Sequence, residues 1–412
     1  MKRVVITGMA GISPVGNEIG DAFAQLRRCE NAVRLMPEWD IYDGLNTKLG
    51  APAADFSLPK HYNRKRTRSM GRVSILATRT SELALEAAGL LDDPILQSGK
   101  VGVAYGSSSG TPDAIGSFAS MLFKHTTDQI KANTYIRMMS HTTSVNVGVF
   151  FGLKGRMLPT SSACTSGSLA IGLAYEAIRA GQQQIMIAGG AEELSATQAA
   201  VFDTLFATST RNNTPHSTPA PFDANRDGLV IGEGAGSFVL EEMESALERC
   251  APIIAEIVGF GTNSDGQHVT QPAAETMSMA MKLALEDAGV PPQEIGYVNA
   301  HGTATDLGDV AESQATRDAL GWKVPTSSLK SYMGHTLGAC GAIEAWLTLQ
   351  MMEEKWFAPT VNLTEVDPRC ADLDYICGTG REIDTDYVMS NNFAFGGVNT
   401  SLIFKRWQGA GS

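Results

Sequence analysis

Residues 101–110 read Val-Gly-Val-Ala-Tyr-Gly-Ser-Ser-Ser-Gly, an apolar run that stops at a cluster of Gly and Ser. A short apolar run bounded by turn-forming residues is typical of a buried β-strand that leads into a tight turn. The pattern recurs at residues 4–8, 185–190, 253–259, 297–302 and 388–392, and helical stretches are predicted over residues 77–88, 166–180 and 276–288. Strands that alternate with helices predict a layered α/β fold.

The strand pattern restarts near Ile253, after a charged helix that we predict over residues 241–249. This restart indicates two similarly built halves, residues 1–250 and 251–412. No long linker, short-period repeat or low-complexity tract separates them. We therefore expect the halves to pack together as one body.

Composition excludes several broad classes. The chain has 412 residues and a formal net charge of −12, with 43% hydrophobic and 18% charged residues, which fits neither a disordered nor a membrane protein. An acidic balance argues against general nucleic-acid binding. No stretch reaches the about 18 apolar residues of a membrane span, and the N-terminal apolar run is too short for a signal peptide. These features predict a cytoplasmic protein.

The six cysteines are scattered, without a CxxC pair or a His cluster at metal-ligand spacing. We therefore expect no metal site, and free thiols for most of them. Cys164 differs because small polar residues flank it and an amphipathic helix follows at once. The N–H groups and dipole of a helix N-terminus stabilise a thiolate, so this position predicts a reactive nucleophile.

Two histidines stand where predicted strands meet glycine turns. His301 lies in His-Gly-Thr-Ala-Thr, and His335 lies in Lys-Ser-Tyr-Met-Gly-His, five residues after Lys330. Either histidine alone is typical of an ordinary polar turn. Together with Cys164 they form a nucleophile with two hydrogen-bond donors, which is a far more specific combination.

With these motifs the chain resembles the β-ketoacyl-[acyl-carrier-protein] synthases, the ketosynthases of the condensing-enzyme family. The motifs that carry the resemblance follow the family's order over essentially the whole chain: Ala163-Cys164-Thr165-Ser166-Gly167, His301-Gly302-Thr303-Ala304-Thr305, Lys330-Ser331-Tyr332-Met333-Gly334-His335 and Asn392-Phe393-Ala394-Phe395-Gly396-Gly397. The resemblance implies the thiolase fold, in which two halves form five αβαβα layers.

It also implies an acyltransferase that condenses an acyl thioester with malonyl-acyl carrier protein, giving a β-ketoacyl product and CO₂. Cys164 would carry the acyl group, His301 and His335 would stabilise the charge on the malonyl thioester, and Glu312 resembles the family's ion-pair partner of Lys330. The backbone N–H groups of Cys164 and Phe395 match the family's oxyanion hole, and Phe393 and Phe395 match its aromatic gate.

The resemblance further assigns the substrate arm and the partners. Thr303 and Thr305, with Thr270, would hold the phosphopantetheine arm, which arrives on the carrier protein, so no separate cofactor is expected. The family is generally dimeric, and either a homodimer or a heterodimer with a related ketosynthase-like chain is compatible with the sequence.

Partner binding poses an electrostatic problem, since carrier proteins of this kind are acidic and this chain is acidic too. Residues 60–72 contain six basic residues and no acidic one. We interpret part of this run as the carrier-protein docking patch, which overcomes the overall repulsion. Its predicted contacts are Arg64, Lys65, Arg66 and Arg68.

Three departures from the family pattern leave the pathway open. Asp306 stands where Pro is usual, Ala394 separates the two gate phenylalanines, and Ser109 replaces a branched apolar residue at the floor of the acyl pocket. The reaction could therefore serve fatty-acid elongation or a specialised polyene or polyketide pathway.

Three further classes are disfavoured by the residues present. A non-catalytic chain-length-factor partner would lack Cys164. A thiolase would need a second catalytic cysteine, for which Cys377 is the superficial candidate. A synthase that starts from acyl-CoA would use Cys, His and Asn instead of two histidines and Lys330.

Overall fold

The computed structural model describes residues 1–409. Within that range the strands are β1 (Val4–Ile12), β2 (Arg34–Leu35), β3 (Leu49–Ala51), β4 (Val101–Gly106), β5 (Met157–Thr160), β6 (Ile185–Glu192), β7 (Ile231–Gly232), β8 (Gly234–Glu242), β9 (Ala255–Ser264), β10 (Ile295–Asn299), β11 (Pro325–Ser327), β12 (Trp356–Phe357), β13 (Asp374–Tyr375), β14 (Arg381–Glu382), β15 (Tyr387–Ala394) and β16 (Val398–Arg406). The α-helices are α1 (Ile19–Arg27), α2 (Arg64–Thr67), α3 (Arg72–Ala87), α4 (Pro112–Lys124), α5 (Ala132–Met138), α6 (Thr142–Phe151), α7 (Ser166–Arg179), α8 (Ala196–Asp203), α9 (Met243–Glu248), α10 (Ala274–Ala288), α11 (Asp306–Leu320), α12 (Lys330–Met333) and α13 (Cys340–Glu353).

One large mixed sheet contains the same strand arrangement twice. Its order is β13-β11-β10-β15-β16-β9-β1-β8-β6-β4-β5. The first half-sheet, read from the edge of the sheet towards its centre, is β5-β4-β6-β8-β1, with two parallel pairings followed by two antiparallel ones. The second half-sheet, read in the same direction, is β11-β10-β15-β16-β9, and it repeats that order of pairings. The two half-sheets meet through the antiparallel pairing of β1 with β9.

The helices form layers around these half-sheets. Helices α7 and α13 pack against each other and contact strands of both half-sheets, so they form the central layer. Helix α3 covers the outer side of the first half-sheet, and α10, backed by α11, covers the second. The predicted five-layer αβαβα fold is confirmed. The division at residues 250 and 251 stays a prediction.

Helices predicted from the sequence differ from the observed ones mainly at their ends. α7 and α10 end where glycines were expected to stop them, with Gly181 and Gly289 both at positive φ. α3 begins at Arg72, earlier than predicted, because Val73 and Leu76 already belong to its buried face. α9 begins later than predicted because Glu241 and Glu242 complete β8 instead.

Both central helices begin in the same unusual way. A 3₁₀ turn, Ala163–Thr165, precedes α7, and another, Leu337–Ala339, precedes α13. Each turn opens with a non-glycine residue in the left-handed region, with φ of +51° at Ala163 and +48° at Leu337. The two helix starts approach closely, since a Cβ at Gly190 would lie 2.3 Å from the Gly338 carbonyl oxygen and 2.7 Å from the Gly167 Cα. Cys164 and His335 lie at this junction.

No helix within residues 1–409 is both long enough and apolar enough to cross a bilayer.

Candidate active site

Cys164 lies in the 3₁₀ turn at the start of α7, where the left-handed backbone of Ala163 turns the chain from β5 into the helix. Its side chain is buried, with 5% of the residue exposed. The turn thus presents a single thiol at the point where the two central helices meet.

His335 contacts that thiol directly, with Nε2 3.0 Å from Cys164 Sγ. The backbone N–H of Leu337 donates to His335 Nδ1 at 3.3 Å. Because Nδ1 accepts this hydrogen bond, the proton of the neutral ring is on Nε2. His335 therefore points an N–H donor at the sulfur.

His301 follows β10 and is held through its backbone. The two carboxylate oxygens of Glu312 accept the N–H groups of His301 and Gly302, each at 2.6 Å. Asn392 Nδ2 lies 3.4 Å from His301 Nδ1, which again leaves the proton on Nε2. The ring centroids of His301 and His335 are 5.1 Å apart at an angle of 87°.

Burial keeps both imidazoles neutral. It lowers the pKa of His301 well below the usual value, and the charge of Lys330 and the second histidine lower it further. Burial and Lys330 likewise lower the pKa of His335. Two neutral N–H donors thus converge on one space, with nitrogen and sulfur ligand atoms of both histidines and Cys164 within 4.8 Å of one another.

The thiol itself is not pre-ionised. Burial raises the pKa of Cys164 to about 12, although Lys330 and the backbone N–H groups of Phe395 and Cys164 oppose the increase. The expectation that the helix N-terminus leaves a stabilised thiolate is therefore wrong, since desolvation of the charged form outweighs the helix contribution. The two N–H groups predicted to form the oxyanion hole do approach the sulfur.

The predicted ion pair between Lys330 and Glu312 is also wrong. The Lys330 ammonium pairs with the carboxylate of Glu344, and both side chains are at most 1% exposed. Burial alone would lower the pKa of Lys330, but the Glu344 carboxylate raises it above its ordinary value. Glu312 is committed instead to the two N–H groups beside His301, and burial raises its pKa to about 8.

Three residues around the site were not expected to act there. Glu344 faces Lys330 from the second turn of α13, and Asn392 donates to its other oxygen at 2.7 Å. Cys340, at the start of α13, donates its thiol proton to the carbonyl of Cys164 at 3.1 Å. Helical spacing places Cys340 and Glu344 on one face, but only the fold brings that face to Cys164.

A cleft with a volume of about 390 Å³ leads from the surface to Cys164, His301 and His335. Several predicted residues line it together: Cys164, His301, His335, Phe393, Phe395, Thr303, Thr305, Thr270 and Glu312. The Phe395 ring packs 5.2 Å from the Phe202 ring, and the Phe393 ring lies 6.1 Å from His301. The structure thus brings the predicted nucleophile, donors and gate into one cavity.

The threonines predicted to hold the arm, and Asp306 in place of proline, line the outer part of this cleft. The hydroxyls of Thr303 and Thr305 hydrogen-bond to each other at 2.9 Å, whereas Thr270 is exposed. Asp306 begins α11 and pairs with Arg369 at 2.5 Å. The aspartate in place of proline therefore anchors the start of α11 to the loop between β12 and β13.

Ser109 is not among the residues that line the cleft, and its side chain belongs to a polar network. It accepts from Gln198 Nε2 at 3.1 Å and donates to Glu192 Oε1 at 3.3 Å. Glu192 is fully buried and also accepts the backbone N–H groups of Ser108 at 2.8 Å and Gly338 at 3.1 Å. The surroundings of Ser109 are therefore polar, and its position at the floor of the acyl pocket stays a prediction.

The basic run is exposed but not uniform. Arg64, Lys65 and Arg66 lie on the short helix α2, and Arg68 follows it. The Arg66 guanidinium stacks 3.6 Å from the Phe150 ring centroid. Arg72 differs from the rest because it is tied to the buried carboxylate of Glu233 at 2.7 Å and 2.9 Å.

Within residues 1–409, two groups of three buried side chains could offer ligand atoms to a metal ion. The triplets Cys164–His301–His335 and His301–Cys340–Glu344 each place ligand atoms within 4.8 Å of one another. In the second, the Glu344 carboxylate already neutralises Lys330, so a cation there would compete with a buried ammonium. The absence of a metal and of a cofactor stays a prediction from the sequence.

Comparison with known proteins gives a consistent result. Residues 1–246 match the family "Beta-ketoacyl synthase, N-terminal domain" and residues 254–364 match its C-terminal domain. A 3-oxoacyl-[acyl-carrier-protein] synthase 2 from Synechocystis sp. is 36% identical over 413 residues, which cover 99% of each chain.

Solved structures agree with this. A β-ketoacyl synthase from Burkholderia phymatum has a TM-score of 0.98 and 61% identity, covering 99% of this chain and 100% of its own. A complex of a type II polyketide synthase acyl-carrier protein with its ketosynthase bound to the hexaketide has a TM-score of 0.87 and 27% identity, covering 99% of this chain and 100% of its own. The chain therefore belongs to the β-ketoacyl synthase family.

Proposed function

We propose that this chain is an acyltransferase that condenses an acyl thioester with malonyl-acyl carrier protein, releasing CO₂ and giving β-ketoacyl-acyl carrier protein. The observation that supports it most is the buried thiol with His335 Nε2–H 3.0 Å from its sulfur and His301 in the same cavity. One nucleophile and two neutral donors suit a reaction that first forms a thioester and then develops negative charge beside it.

In the first half-reaction the acyl group moves from the carrier protein to Cys164. Because burial raises the thiol pKa to about 12, the sulfur loses its proton as it attacks the incoming thioester. That proton ends on the departing phosphopantetheine sulfur, so the exchange is balanced. The N–H groups of Cys164 and Phe395 stabilise the oxyanion of the tetrahedral intermediate, and Lys330 favours the transient thiolate.

In the second half-reaction a malonyl thioester loses CO₂, and its bonding electrons form an enolate. The negative charge develops on the thioester oxygen, which accepts the Nε2–H groups of His301 and His335. The enolate carbon attacks the acyl-Cys164 carbonyl, the new carbon–carbon bond forms, and Cys164 leaves as a thiolate that is then protonated. Neutral imidazoles suit this role because their N–H groups stabilise the negative charge by hydrogen bonding, and neither ring has to gain or lose a proton.

The Lys330–Glu344 pair sets the electrostatic background for both steps. Its ammonium adds to burial in keeping the two imidazoles unprotonated, and it lowers the energy of the Cys164 thiolate. Its own charge is fixed by Glu344, so it remains positive throughout turnover.

Thr303, Thr305 and Thr270 hold the phosphopantetheine arm at the outer part of the cleft, while Phe393 and Phe395 separate the acyl side from the malonyl side. The lining of the cleft by all five supports this arrangement. The arm is delivered by the carrier protein, so no resident cofactor is required.

The carrier protein docks on Arg64, Lys65, Arg66 and Arg68, which are exposed and basic. Reversing the charge at Arg64, Lys65 and Arg66 should raise the KM for acyl carrier protein, and the effect should shrink at high salt. Lys100→Glu, at the opposite end of β4 from the site, is the matched control. An unchanged KM would contradict this docking patch.

The chain forms a homodimer through the outer edge of β5. This strand ends the sheet, and residues 112–160 contribute exposed apolar side chains, of which Met157 lies on β5 itself: Ile115, Leu122, Phe123, Tyr135, Val149 and Met157. An uncovered strand edge that carries exposed apolar surface invites pairing with a second chain. Sedimentation should give a dimer for the purified chain and a monomer for Phe123→Glu; a monomeric wild-type chain would favour a heterodimer with a related ketosynthase-like chain.

The activity is tested with the purified chain alone, acyl- and malonyl-carrier proteins, and intact-protein mass spectrometry. His301→Ala and His335→Ala should each slow condensation on the order of 10²–10³-fold while acylation of Cys164 persists. Cys164→Ala, which cannot be acylated, is the control. No condensation by the wild-type chain alone would favour a non-catalytic partner role.

Polyketide or polyene elongation is the second candidate. The polar network of Ser109 with Gln198 and Glu192 favours it over elongation of long saturated chains. A panel of carrier proteins loaded with saturated, polyene and β-keto chains, read as acylation of Cys164, separates the two.

A further inference from the structure

Phe206 stands at the mouth of the cleft with 91% of its surface exposed. Its backbone φ is +54°, in the left-handed region that bulky residues rarely adopt. A ring that stays exposed to water contributes no hydrophobic stabilisation to the fold, and this backbone conformation costs stability. Strained residues of this kind concentrate at functional positions, so the inference runs from the observed outlier to a role.

The turn that carries Phe206 is firmly held. Asp203, at the end of α8, accepts the backbone N–H groups of Asn46 at 2.8 Å and Thr47 at 3.1 Å, and the hydroxyl of Thr208 at 2.8 Å. The Phe206 N–H donates to the Asp203 carbonyl at 3.0 Å. These bonds tie both sides of the turn to the body of the protein, so the ring is presented from a fixed base.

Three more apolar side chains surround the mouth, from separate parts of the chain. Leu205 precedes Phe206 and is 46% exposed, Val269 lies in the loop after β9 and is 68% exposed, and Leu307 lies in the first turn of α11 and is 57% exposed. All four line the cleft that contains Cys164. We call Leu205, Phe206, Val269 and Leu307 the mouth patch.

We propose that the mouth patch is a second docking surface for acyl carrier protein, and that it contacts the part of the carrier protein around the attachment point of the phosphopantetheine arm. The inference rests on the proposed function. The arm must enter this cleft for its thioester to reach Cys164, so the surface around its attachment point is brought against the mouth. Association then removes four exposed apolar side chains from water.

The mouth patch complements the basic run in a specific way. Contacts between exposed charges weaken as salt screens them, whereas apolar contacts do not. Docking therefore has a salt-sensitive part on Arg64, Lys65 and Arg66 and a salt-insensitive part on Phe206. This division lets an acidic enzyme retain an acidic partner when long-range attraction is screened.

The test compares Phe206→Ala and Phe206→Gly with wild type, using acyl-carrier protein and the corresponding acyl-pantetheine thioester, which has the arm but no protein. Both variants should raise KM about tenfold for the carrier protein, at low and at high salt. KM for the acyl-pantetheine should change less than about twofold. Ile41→Ala, a side chain 79% exposed and outside the cleft, is the matched control and should change neither value.

Phe206→Gly also separates docking from folding. Glycine accepts a φ of +54° without strain, so this variant should match or exceed the wild-type Tm while it binds the carrier protein more weakly. The proposal is overturned by an unchanged carrier-protein KM in both variants or by a loss that disappears at high salt. An equal loss with acyl-pantetheine also overturns it, because the ring would then contact the arm. If wild-type protein does not turn over acyl-carrier protein at all, the proposed function fails instead.

Discussion

Replacing Glu344 with Gln tests the electrostatic centre of the site. The amide would keep the size of the side chain but leave the Lys330 ammonium, 1% exposed, without its counter-charge. Breaking a buried ion pair by removing one partner typically costs about 3–5 kcal/mol, because a desolvated charge remains. For a chain of 412 residues the unfolding entropy is about 0.9 kcal/mol/K, so the Tm of Glu344→Gln should fall by about 3–6 °C.

The loss should depend on pH with a defined sign. Glu344 raises the pKa of Lys330 in the wild type. Without it, burial lowers the folded-state pKa below the unfolded value of about 10.4, so the unfolded chain binds more protons and stability rises with pH. The deficit of Glu344→Gln relative to wild type should therefore shrink as pH increases from about 7 towards about 10.

A double-mutant cycle identifies the partner of Lys330. Chemical unfolding of Lys330→Met, Glu344→Gln and the double variant should give a coupling of at least about 2 kcal/mol. The parallel cycle with Glu312→Gln should give no more than about 1 kcal/mol, since Glu312 bonds the backbone beside His301. A larger coupling to Glu312 than to Glu344, or a deficit that grows with pH, would refute the reasoning.

Three other predictions concern single groups. Burial raises the pKa of Cys164 to about 12, so the rate of its alkylation by iodoacetamide should rise about tenfold per pH unit from about pH 7 to about pH 10. Peptide mass spectrometry measures this rate. A rate that stops rising near about pH 8.5 would contradict a buried neutral thiol. Both active-site imidazoles should stay neutral with the proton on Nε2 down to about pH 5 in side-chain ¹⁵N NMR, and a midpoint near the ordinary value in either ring would be inconsistent with this environment. Arg72→Gln should destabilise the fold by about 2 kcal/mol in urea unfolding through loss of its bonds to Glu233, without the carrier-protein KM effect of the neighbouring arginines; an effect on KM alone would place Arg72 in the docking patch.

The parts of the fold that the sequence predicts are those written in local patterns. The end of β4 at Gly106, and the helix stops before Gly181 and Gly289, follow from turn-forming residues next to apolar runs. β6 instead continues through Gly190 to Glu192. The Cys164 and histidine motifs are equally local. Their assembly in one cleft follows from the resemblance rather than from spacing.

The errors arose where the outcome depends on three-dimensional surroundings. The partner of Lys330 could not be chosen between Glu312 and Glu344 from the sequence, because the turns between α12 and α13 decide which carboxylate faces it. The thiol pKa was predicted in the wrong direction because a helix N-terminus is visible in sequence, whereas complete desolvation is not. The sequence did not distinguish Cys340 from the other cysteines expected to be free thiols, because its contact with the Cys164 carbonyl crosses between the two halves.

The matching starts of α7 and α13 have an evolutionary consequence. Each half of the sheet delivers a central helix through a 3₁₀ turn that opens on a left-handed non-glycine residue, Ala163 in one and Leu337 in the other. One turn carries Cys164, the proposed nucleophile, and the other begins two residues after His335, a proposed donor. This correspondence is the pattern expected from duplication of an ancestral half that paired with its own copy, after which each copy kept the same strained turn and specialised in a different half of the chemistry.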